Sequence, residues 1–356
     1  MVGSDGRQIG VRQVIICVCS FFALILPVGC NQQQKAVELY VNAVMHRELD
    51  ENEKAIEKLN SAVKANKRFS LAYSLLGEIY EQMSQYESSA SSYKKATELN
   101  PWSFKDYFNL GQVYQIMQQF ALAVRAYNRA CELKPEHLQA HINAARCFYE
   151  IEDYNNALQY SKKAQEIDPD TSEVQRLLGD IYESRKDYSQ AIIYYKRALE
   201  IDSNNPDLMT SLAVAYLKTD RIKAAKELLN SAIKLHGDNG TAYQYLGYCY
   251  LSLRDKAINA DEGQSKDPKT AALLLADTYM NKAIENYNKA LEINAQDWQA
   301  LKGLGVAYML KSLENNDQTL RQKAIQNWRL SLDVKPDQRN RERLVRLIEK
   351  YSQQTK

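Results

Sequence analysis

The chain has 356 residues, of which 46 are Lys or Arg and 44 are Asp or Glu, and its formal net charge is +2. Hydrophobic residues make up 45% of it, which is typical of a globular protein, and the balanced charge argues against a nucleic-acid partner. The cysteines form no CxxC motif, the histidines form no HExxH motif, and no glycine-rich phosphate loop follows a strand-like run. We therefore expect no metal, no cofactor, no catalytic residue and no enzymatic activity.

An apolar run stands near the start of the chain. The fifteen residues from Val14 to Val28 carry no charge and follow two basic residues, Arg7 and Arg12. The run is shorter than the roughly 17–25 residues of a membrane-spanning helix. It has the length of the apolar core of an export signal, so we expect export from the cytoplasm.

Cys30 closes this segment. With a glycine before it, Cys30 resembles the lipobox of bacterial lipoproteins, although Pro27 stands where that motif usually has leucine. The resemblance implies that residues 1–29 are a signal peptide, that Cys30 carries lipid such as palmitate, and that residues 30–35 form a short tether. It also implies a lipid-anchored protein of the cell envelope that faces the periplasm, with Asn31 favouring the outer membrane. An uncleaved inner-membrane anchor and an ordinary cleaved signal are the alternatives.

The rest of the chain repeats one unit. Small residues recur every 34 positions, at Ala43, Gly77, Gly111, Ala145, Gly179, Ala213 and Gly247. A second series with the same period is Ala62, Ala96, Ala130, Ala164, Ala198 and Ala232. Each unit has two stretches with apolar residues at three- and four-residue spacing, which predicts two helices. We expect the small residues to let these helices cross closely, with Gly305 in this role in the last unit.

The third unit has the most complete pattern. Its residues Tyr107, Leu110, Gly111, Tyr114, Ala123, Tyr127, Ala130 and Pro135 resemble the tetratricopeptide repeat. The resemblance runs from about Ala36 to Pro336 and implies an all-α fold, a right-handed α-solenoid of about eight helix hairpins with a concave inner surface. The expected units are 36–69, 70–103, 104–137, 138–171, 172–205, 206–239, 240–297 and 298–336, followed by a capping helix at 337–356.

The seventh and eighth units carry insertions. Residues 252–275 are inserted in the seventh unit: residues 252–267 are polar and predict an exposed loop, whereas residues 268–293 predict one long helix with an early proline. The leucines at 273–275 either pack on a lengthened preceding helix or form a partner-binding knob. The shorter insertion in the eighth unit is expected on the same edge of the array, and such edges are often functional.

The last twenty residues predict an amphipathic helix. Its apolar residues recur at helical spacing among arginines and are Leu344, Leu347, Ile348 and Tyr351. This pattern predicts a cap on the final repeat, which arrays need for solubility. Contact of the arginines with lipid head groups is the alternative.

Few reactive side chains lie in the repeats. His137 and His141 have the i, i+4 spacing of a metal-binding pair, but without a third ligand we expect them to be a solvated pair. Cys131, Cys147 and Cys249 are expected to be small buried apolar residues, and whether two of them form a disulfide stays open.

The tetratricopeptide resemblance also implies a binding surface. In that family, fixed positions of each first helix line the concave groove. The residues at those positions here are Lys105, Phe108, Gln112, Ile142, Arg146, Tyr149, Arg176, Asp180, Val214, Leu217, Tyr248, Leu251, Val306 and Met309. This set suits an extended or helical segment of a partner, with Arg146 and Arg176 holding its acids. Family members that clamp a C-terminal carboxylate have lysine at the places of Phe108 and Ile142, so we do not expect that mode.

The sequence therefore predicts a non-catalytic scaffold for protein–protein interaction. We expect one or more partner proteins in the concave groove or on the insertion 252–275, and membrane attachment through the lipid. Assembly or stability of an envelope complex, such as a pilus, a secretion apparatus or a polysaccharide-export apparatus, fits this combination. The alternative is a regulatory or adaptor subunit of an enzyme that synthesises cell wall or exopolysaccharide.

Overall fold

The described part of the chain is helical. The computed structural model describes residues 30–259 and 268–353, which contain seventeen helices and no strand, and this confirms the predicted all-α solenoid of hairpins. The predicted signal peptide at 1–29 and the side chain of Cys30 lie outside the described residues. The chain divides into two compact units, here called the N-terminal body, up to Glu152, and the C-terminal body, from Asp153.

The N-terminal body contains seven of the described helices. They are α1 (Cys30–Glu48), α2 (Asn52–Ala65), α3 (Ser70–Gln82), α4 (Tyr86–Leu99), α5 (Phe104–Ile116), α6 (Phe120–Leu133) and α7 (Leu138–Glu150). The first six helices pack in pairs as three hairpins, and each hairpin contacts the helix that follows it. Helix α1 begins at Cys30, so residues 30–35, which we expected to be a tether, are helical.

The C-terminal body contains the other ten described helices. They are α8 (Tyr154–Ile167), α9 (Ser172–Ser184), α10 (Tyr188–Ile201), α11 (Pro206–Lys218), α12 (Ile222–Leu235), α13 (Gly240–Asn259), α14 (Pro268–Ile293), α15 (Trp298–Asn315), α16 (Gln318–Val334) and α17 (Arg341–Gln353). Helices α9 to α16 form four hairpins, and the first helices α11, α13 and α15 also contact one another in sequence. No helix within the described ranges is both long and apolar enough to cross a membrane.

The helices of a hairpin cross where a glycine faces an aromatic ring. A Cβ atom on Gly111 of α5 would lie 2.7 Å from Cδ1 of Tyr127 on α6, whereas carbon atoms in contact normally lie about 3.5–4.0 Å apart. Only a residue without a side chain leaves room for this fully buried ring. The same arrangement recurs in the pairs Gly77–Tyr93, Gly179–Tyr195, Gly247–Tyr287 and Gly305–Trp328.

Alanine takes the place of glycine where the facing side chain is smaller. The residue sixteen places after the small residue is tyrosine in the hairpins of Gly77, Gly111 and Gly179, but it is Leu59 after Ala43 and Leu229 after Ala213. Both leucines and both alanines are fully buried. The volume removed from one helix thus matches the volume added on the other, as close packing requires. All eight predicted small residues, Ala145 included, are buried.

The turns after the first helices, apart from that after α13, which lies outside the described residues, repeat one backbone conformation. A residue other than glycine with positive φ recurs every 34 positions, at Asp50, Ser84, Gln118, Glu152, Lys186 and Asp220, and Asn316 takes this role in the last hairpin. Positive φ brings the Cβ atom close to the backbone, so it costs residues other than glycine roughly 1–2 kcal/mol. The repeat therefore exists in the backbone at positions where the side chains have little in common.

The first insertion lengthens both helices of its hairpin. Helix α13 continues to Asn259, so the predicted exposed loop is wrong for residues 252–259, and residues 260–267 lie outside the described part. Most of the polar residues there lie on the exposed side of a helix. The other side of this helix is buried and includes Leu253 and the side chain of Arg254. Helix α14 begins at Pro268 and ends at Ile293, as predicted.

The two insertions meet at one edge of the C-terminal body. Arg254 of α13 donates through Nη2 to Oε1 of Glu314, near the end of α15, so the lengthened hairpins contact each other there as expected. The leucines of α14 are largely uncovered, because Leu273 and Leu274 are 62% and 70% exposed and Leu275 is 44% exposed. The packing interpretation is therefore wrong for Leu273 and Leu274, and the partner-binding knob stays a prediction.

Helix α17 covers the last hairpin. Leu344 and Ile348 are buried in one cluster with Met309 and Trp328, and Leu347 and Tyr351 pack against that cluster. The arginines of the helix are exposed. The amphipathic pattern thus has the packing of the predicted cap.

Candidate functional site

Several candidate groove residues of the N-terminal body are engaged within the chain. The Nζ atom of Lys105 lies 2.5 Å from Oε1 of Glu78, and the ring of Phe108 stacks on that of Phe104 with centroids 5.6 Å apart. Ile142 is only 1% exposed. Contrary to the expectation, its side chain therefore cannot contact a partner in the groove. The remaining candidates here are half-buried or exposed, namely Gln112, Arg146 and Tyr149.

The two histidines at the start of α7 serve the fold. The Nδ1 atom of His137 accepts a hydrogen bond from the backbone N–H of Ala140 at 3.2 Å and caps the helix, and burial lowers the pKa of His137. His141 is buried with Nε2 2.8 Å from the carbonyl oxygen of Pro135, so the prediction of a solvated pair is wrong for this residue. Within residues 30–259 and 268–353, no three His, Cys, Asp or Glu side chains are grouped as metal ligands.

The three cysteines of the repeats are buried, as predicted, and the disulfide left open by the sequence is not formed, because all three thiols are free. Burial raises the pKa of Cys131, Cys147 and Cys249 to about 12 each. At neutral pH they are therefore protonated thiols. Because the thiolate is the reactive form of cysteine, these side chains act as small, unreactive apolar residues.

A polar network surrounds Asp180 in the C-terminal body. The hydroxyl of Tyr195 lies 2.7 Å from Oδ1 of Asp180 and 2.8 Å from Oε2 of Glu183, and one hydroxyl can donate to only one of them. Burial raises the pKa of Glu183, so this carboxyl keeps its proton to higher pH and can donate to the tyrosine oxygen. The exposed guanidinium of Arg176 lies 3.8 Å from Oδ2 of Asp180. The two candidate groove residues Arg176 and Asp180 therefore belong to one ionisable cluster on α9.

A cleft of about 650 Å³ lies on the first helices of the C-terminal body. It is lined by the five predicted residues Val214, Leu217, Tyr248, Leu251 and Val306, which come from α11, α13 and α15. Tyr248 and Val306 are 51% and 37% exposed, so they offer apolar surface, whereas Val214 and Leu251 are buried and form the floor. The remaining candidate, Met309, is buried and does not line the cleft. The groove pattern thus brought together residues that are far apart in the sequence.

The cleft also contains residues that the groove pattern did not identify. The main ones are Lys218, Gln244, Tyr245, Trp298 and Lys302. Lys302 stands at the fifth position of α15, the position that Phe108 has in α5, so the pattern contained a signal for it. Trp298 is the first residue of α15, where the pattern assigns no groove contact, and it had no such signal.

A tryptophan ring lies beside one lysine of the cleft. The Nζ atom of Lys302 lies 5.4 Å from the centroid of the Trp298 ring, the distance of a cation–π interaction. Burial lowers the pKa of Lys302. At the base, Tyr287 is buried beside Gly303, where a Cβ atom would lie 2.7 Å from the tyrosine oxygen. The glycine therefore allows Tyr287 to reach the next hairpin and close the floor.

Stacked helix hairpins, each in contact with its neighbours, and a cleft on their first helices define the protein as an α-solenoid with a surface that can hold a ligand. Family models described as tetratricopeptide repeat match residues 71–101, 104–137, 136–204 and 183–248. The chain therefore carries tetratricopeptide repeats, as the sequence pattern indicated. A search of curated proteins finds no match.

Solved structures share the fold at low sequence identity. A tetratricopeptide repeat protein from Parabacteroides merdae is 16% identical with a TM-score of 0.51, over 77% of this chain and 99% of that one. The Cut9–Hcn1 structure of the APC/C is 14% identical with a TM-score of 0.50, over 77% and 52%. YrrB, a TPR protein with an unusual peptide-binding site, is 21% identical with a TM-score of 0.46, over 52% and 95%.

Proposed function

We propose that this protein is a non-catalytic scaffold that holds partner proteins and is anchored through lipid on Cys30 to a membrane of the cell envelope. It faces the periplasm, with the outer membrane favoured, and it assists the assembly or stability of an envelope complex such as a pilus, a secretion apparatus or a polysaccharide-export apparatus. The observation that carries the binding function is the cleft on α11, α13 and α15, where apolar side chains remain exposed.

The cleft has the properties of a peptide-binding surface. Its volume falls in the range of about 300–1,000 Å³ that is usual for binding sites. Tyr248 lines the cleft and is half-exposed, and a tyrosine in such a setting supplies large contact area at low entropic cost. The exposed side chain of Gln299, which also lines the cleft, can donate hydrogen bonds to a partner backbone or accept them from it. These features favour a protein ligand.

A photo-crosslinking experiment tests the binding function. A photoreactive amino acid is placed at Tyr248 in the cleft or, as a matched control, at Ile193 on the second helix α10, because these side chains are 51% and 49% exposed. After illumination of cells, mass spectrometry identifies what is attached. We expect one protein to be enriched at Tyr248 over Ile193 and to be an envelope component. Equal patterns at the two positions would contradict the proposal.

The anchor is supported by the sequence before the first helix. The apolar run ends at Val28, two residues before Cys30, and α1 begins at Cys30, so acyl chains on this cysteine would hold the first hairpin close to the bilayer. Two or three chains, at about 0.8 kcal/mol for each buried CH₂ group, give durable attachment where one chain does not.

Fractionation tests the anchor. Replacing Cys30 by serine should move the protein into the soluble fraction and remove the acyl mass from its N-terminal peptide, whereas Gln33→Ser should leave both unchanged. Continued membrane association of the Cys30 variant would indicate an uncleaved anchor instead.

A further inference from the structure

The cleft of the C-terminal body has more positive charge than its own acids neutralise. Its charged side chains are Lys218, Asp255 and Lys302. The Oδ1 atom of Asp255 accepts a hydrogen bond from Nη1 of Arg254 at 2.7 Å, and Arg254 also donates to Glu314, so the lining itself has two lysines against one acid. No carboxylate among the described residues lies within 4.0 Å of Nζ of either lysine, although the pKa of the more distant Glu183, which burial raises, is lowered by the charge of Lys218. The cleft is therefore prepared for negative charge.

Lys302 is the stronger of the two cationic positions. Its side chain is partly buried, and burial alone lowers its pKa, since no acid offsets the loss of water. The ring of Trp298, 5.4 Å away, only partly replaces that water. A carboxylate from a ligand would restore the missing counter-charge in a site that is screened from solvent.

An apolar contact separates the two lysines. Lys218 is the last residue of α11 and Lys302 lies on α15, while α13 stands between these helices and presents Tyr248. The half-exposed ring of Tyr248 and the partly exposed side chain of Val306 offer apolar surface, and an apolar group of the ligand that covers them gains the free energy of removing this surface from water.

The spacing of the lysines selects the form of the ligand. Packed helices lie about 8–10 Å apart, so the axes of α11 and α15 are roughly 16–20 Å apart across α13, and Lys218 and Lys302 also stand at different heights along these axes, so this separation is the least that a ligand has to span. An extended chain covers about 3.3–3.6 Å per residue and needs five or six residues for this distance. One terminal carboxylate can reach only one lysine, whereas two acidic side chains of an internal segment can reach both.

We propose that the cleft binds an extended internal segment of a partner protein with an acidic residue near each end and a large apolar residue between them. The acids face Lys218 and Lys302, and the apolar side chain packs against Tyr248. The inference rests on the proposed scaffold function and specifies the chemistry of the partner for that site.

A synthetic peptide tests this inference. The probe is seven residues long, acetylated and amidated, with aspartate at both ends, phenylalanine in the centre and glycine or serine elsewhere. Binding to the full-length protein, purified in detergent, is measured by calorimetry at low and high salt. We expect binding that weakens as salt rises, and about tenfold weaker binding when asparagine replaces both aspartates or alanine replaces the phenylalanine.

Matched protein variants locate the site. Lys302→Met should weaken binding of the probe about tenfold, because it keeps the length of the side chain and removes the charge. Lys323→Met is the control, since Lys323 also lies over an aromatic ring, that of Tyr308 at 5.8 Å, but does not line the cleft. Circular dichroism checks that both variants fold. If Lys302→Met does not fold, the comparison of the aspartate, asparagine and alanine peptides on the wild-type protein still decides the question.

Three results would overturn the inference. They are equal binding of the aspartate and asparagine peptides, equal affinity of the two lysine variants, and tighter binding of a neutral peptide with a free C-terminal carboxylate. Each would leave the scaffold function standing if Tyr248 still crosslinks to a partner. Failure of that crosslink, in contrast, would remove the scaffold function itself.

Discussion

Replacing Gly111 by alanine places a methyl group at the crossing of α5 and α6. The new Cβ atom would lie 2.7 Å from Cδ1 of Tyr127, about 1 Å closer than a normal carbon contact. The ring is fully buried, and its hydroxyl donates to Oε1 of Gln115 at 2.9 Å, so it cannot move aside without losing packing or this hydrogen bond. We expect the variant to be less stable than the wild type.

The magnitude follows from three opposing effects. Overpacking typically costs about 1–3 kcal/mol, and loss of the Tyr127 hydrogen bond costs about 1 kcal/mol more. Alanine regains about 1 kcal/mol, because it is the better helix former. The free energy of unfolding should therefore fall by about 1–3 kcal/mol. Tyr127→Leu should cost about 2–4 kcal/mol by leaving a cavity.

The double variant tests whether the two side chains are matched. Ala43 with Leu59 is a natural example of the alanine–leucine combination, so adding Tyr127→Leu to Gly111→Ala should cost less than the sum of the single changes. Urea unfolding followed by circular dichroism, with hydrogen exchange of α5 and α6, measures the effect. Gly237→Ala is the control, since nothing lies within 4 Å of its Cβ position. Additive costs, or an unchanged Gly111→Ala variant, would refute the reasoning.

Three further changes probe the turns, the buried acid and the inserted edge. Gln118 has φ of 57°, so Gln118→Gly should raise the free energy of unfolding by up to about 1 kcal/mol in urea titrations, and a decrease would contradict the left-handed turn. Burial raises the pKa of Glu183, so the folded state loses stability as pH rises through that pKa. Glu183→Gln should remove this loss when the free energy of unfolding is measured from pH 4 to 8. An unchanged pH dependence would refute the assignment of the loss to Glu183. Arg254→Ala removes the contact with Glu314, so amide exchange should rise at the end of α13 and stay constant in α9, and equal rates in wild type and variant would argue against a structural role for the contact.

The repeated fold could be predicted because its signal is direct. A close helix crossing tolerates only small residues, and these recur at a fixed spacing that no other arrangement requires. The left-handed turns could not be predicted, because Gln118, Glu152 and Lys186 do not share a side chain that favours positive φ. Their conformation is imposed by the packing of the helices on either side.

The candidate site was predicted only in part. A position rule for first helices identified the apolar floor and Tyr248, but it also included Ile142 and Met309, which packing covers. The rule describes the direction of a side chain and contains no information about neighbouring helices. The interpretation that Leu273 to Leu275 all pack on the preceding helix was wrong for a related reason. Consecutive residues point about 100° apart on a helix, so one packed face cannot bury all three.

The two kinds of helix crossing also affect how a repetitive chain avoids misfolding. If a first helix of the C-terminal body paired with the second helix of the neighbouring repeat, Ala213 would collide with Tyr195, or Gly179 would leave a void opposite Leu229. Where hairpins with different crossings are neighbours, the matched partners therefore penalise a shift by one repeat, although the segments are otherwise interchangeable. Swapping the paired residues of two hairpins together should preserve correct assembly, whereas swapping one partner alone should slow refolding.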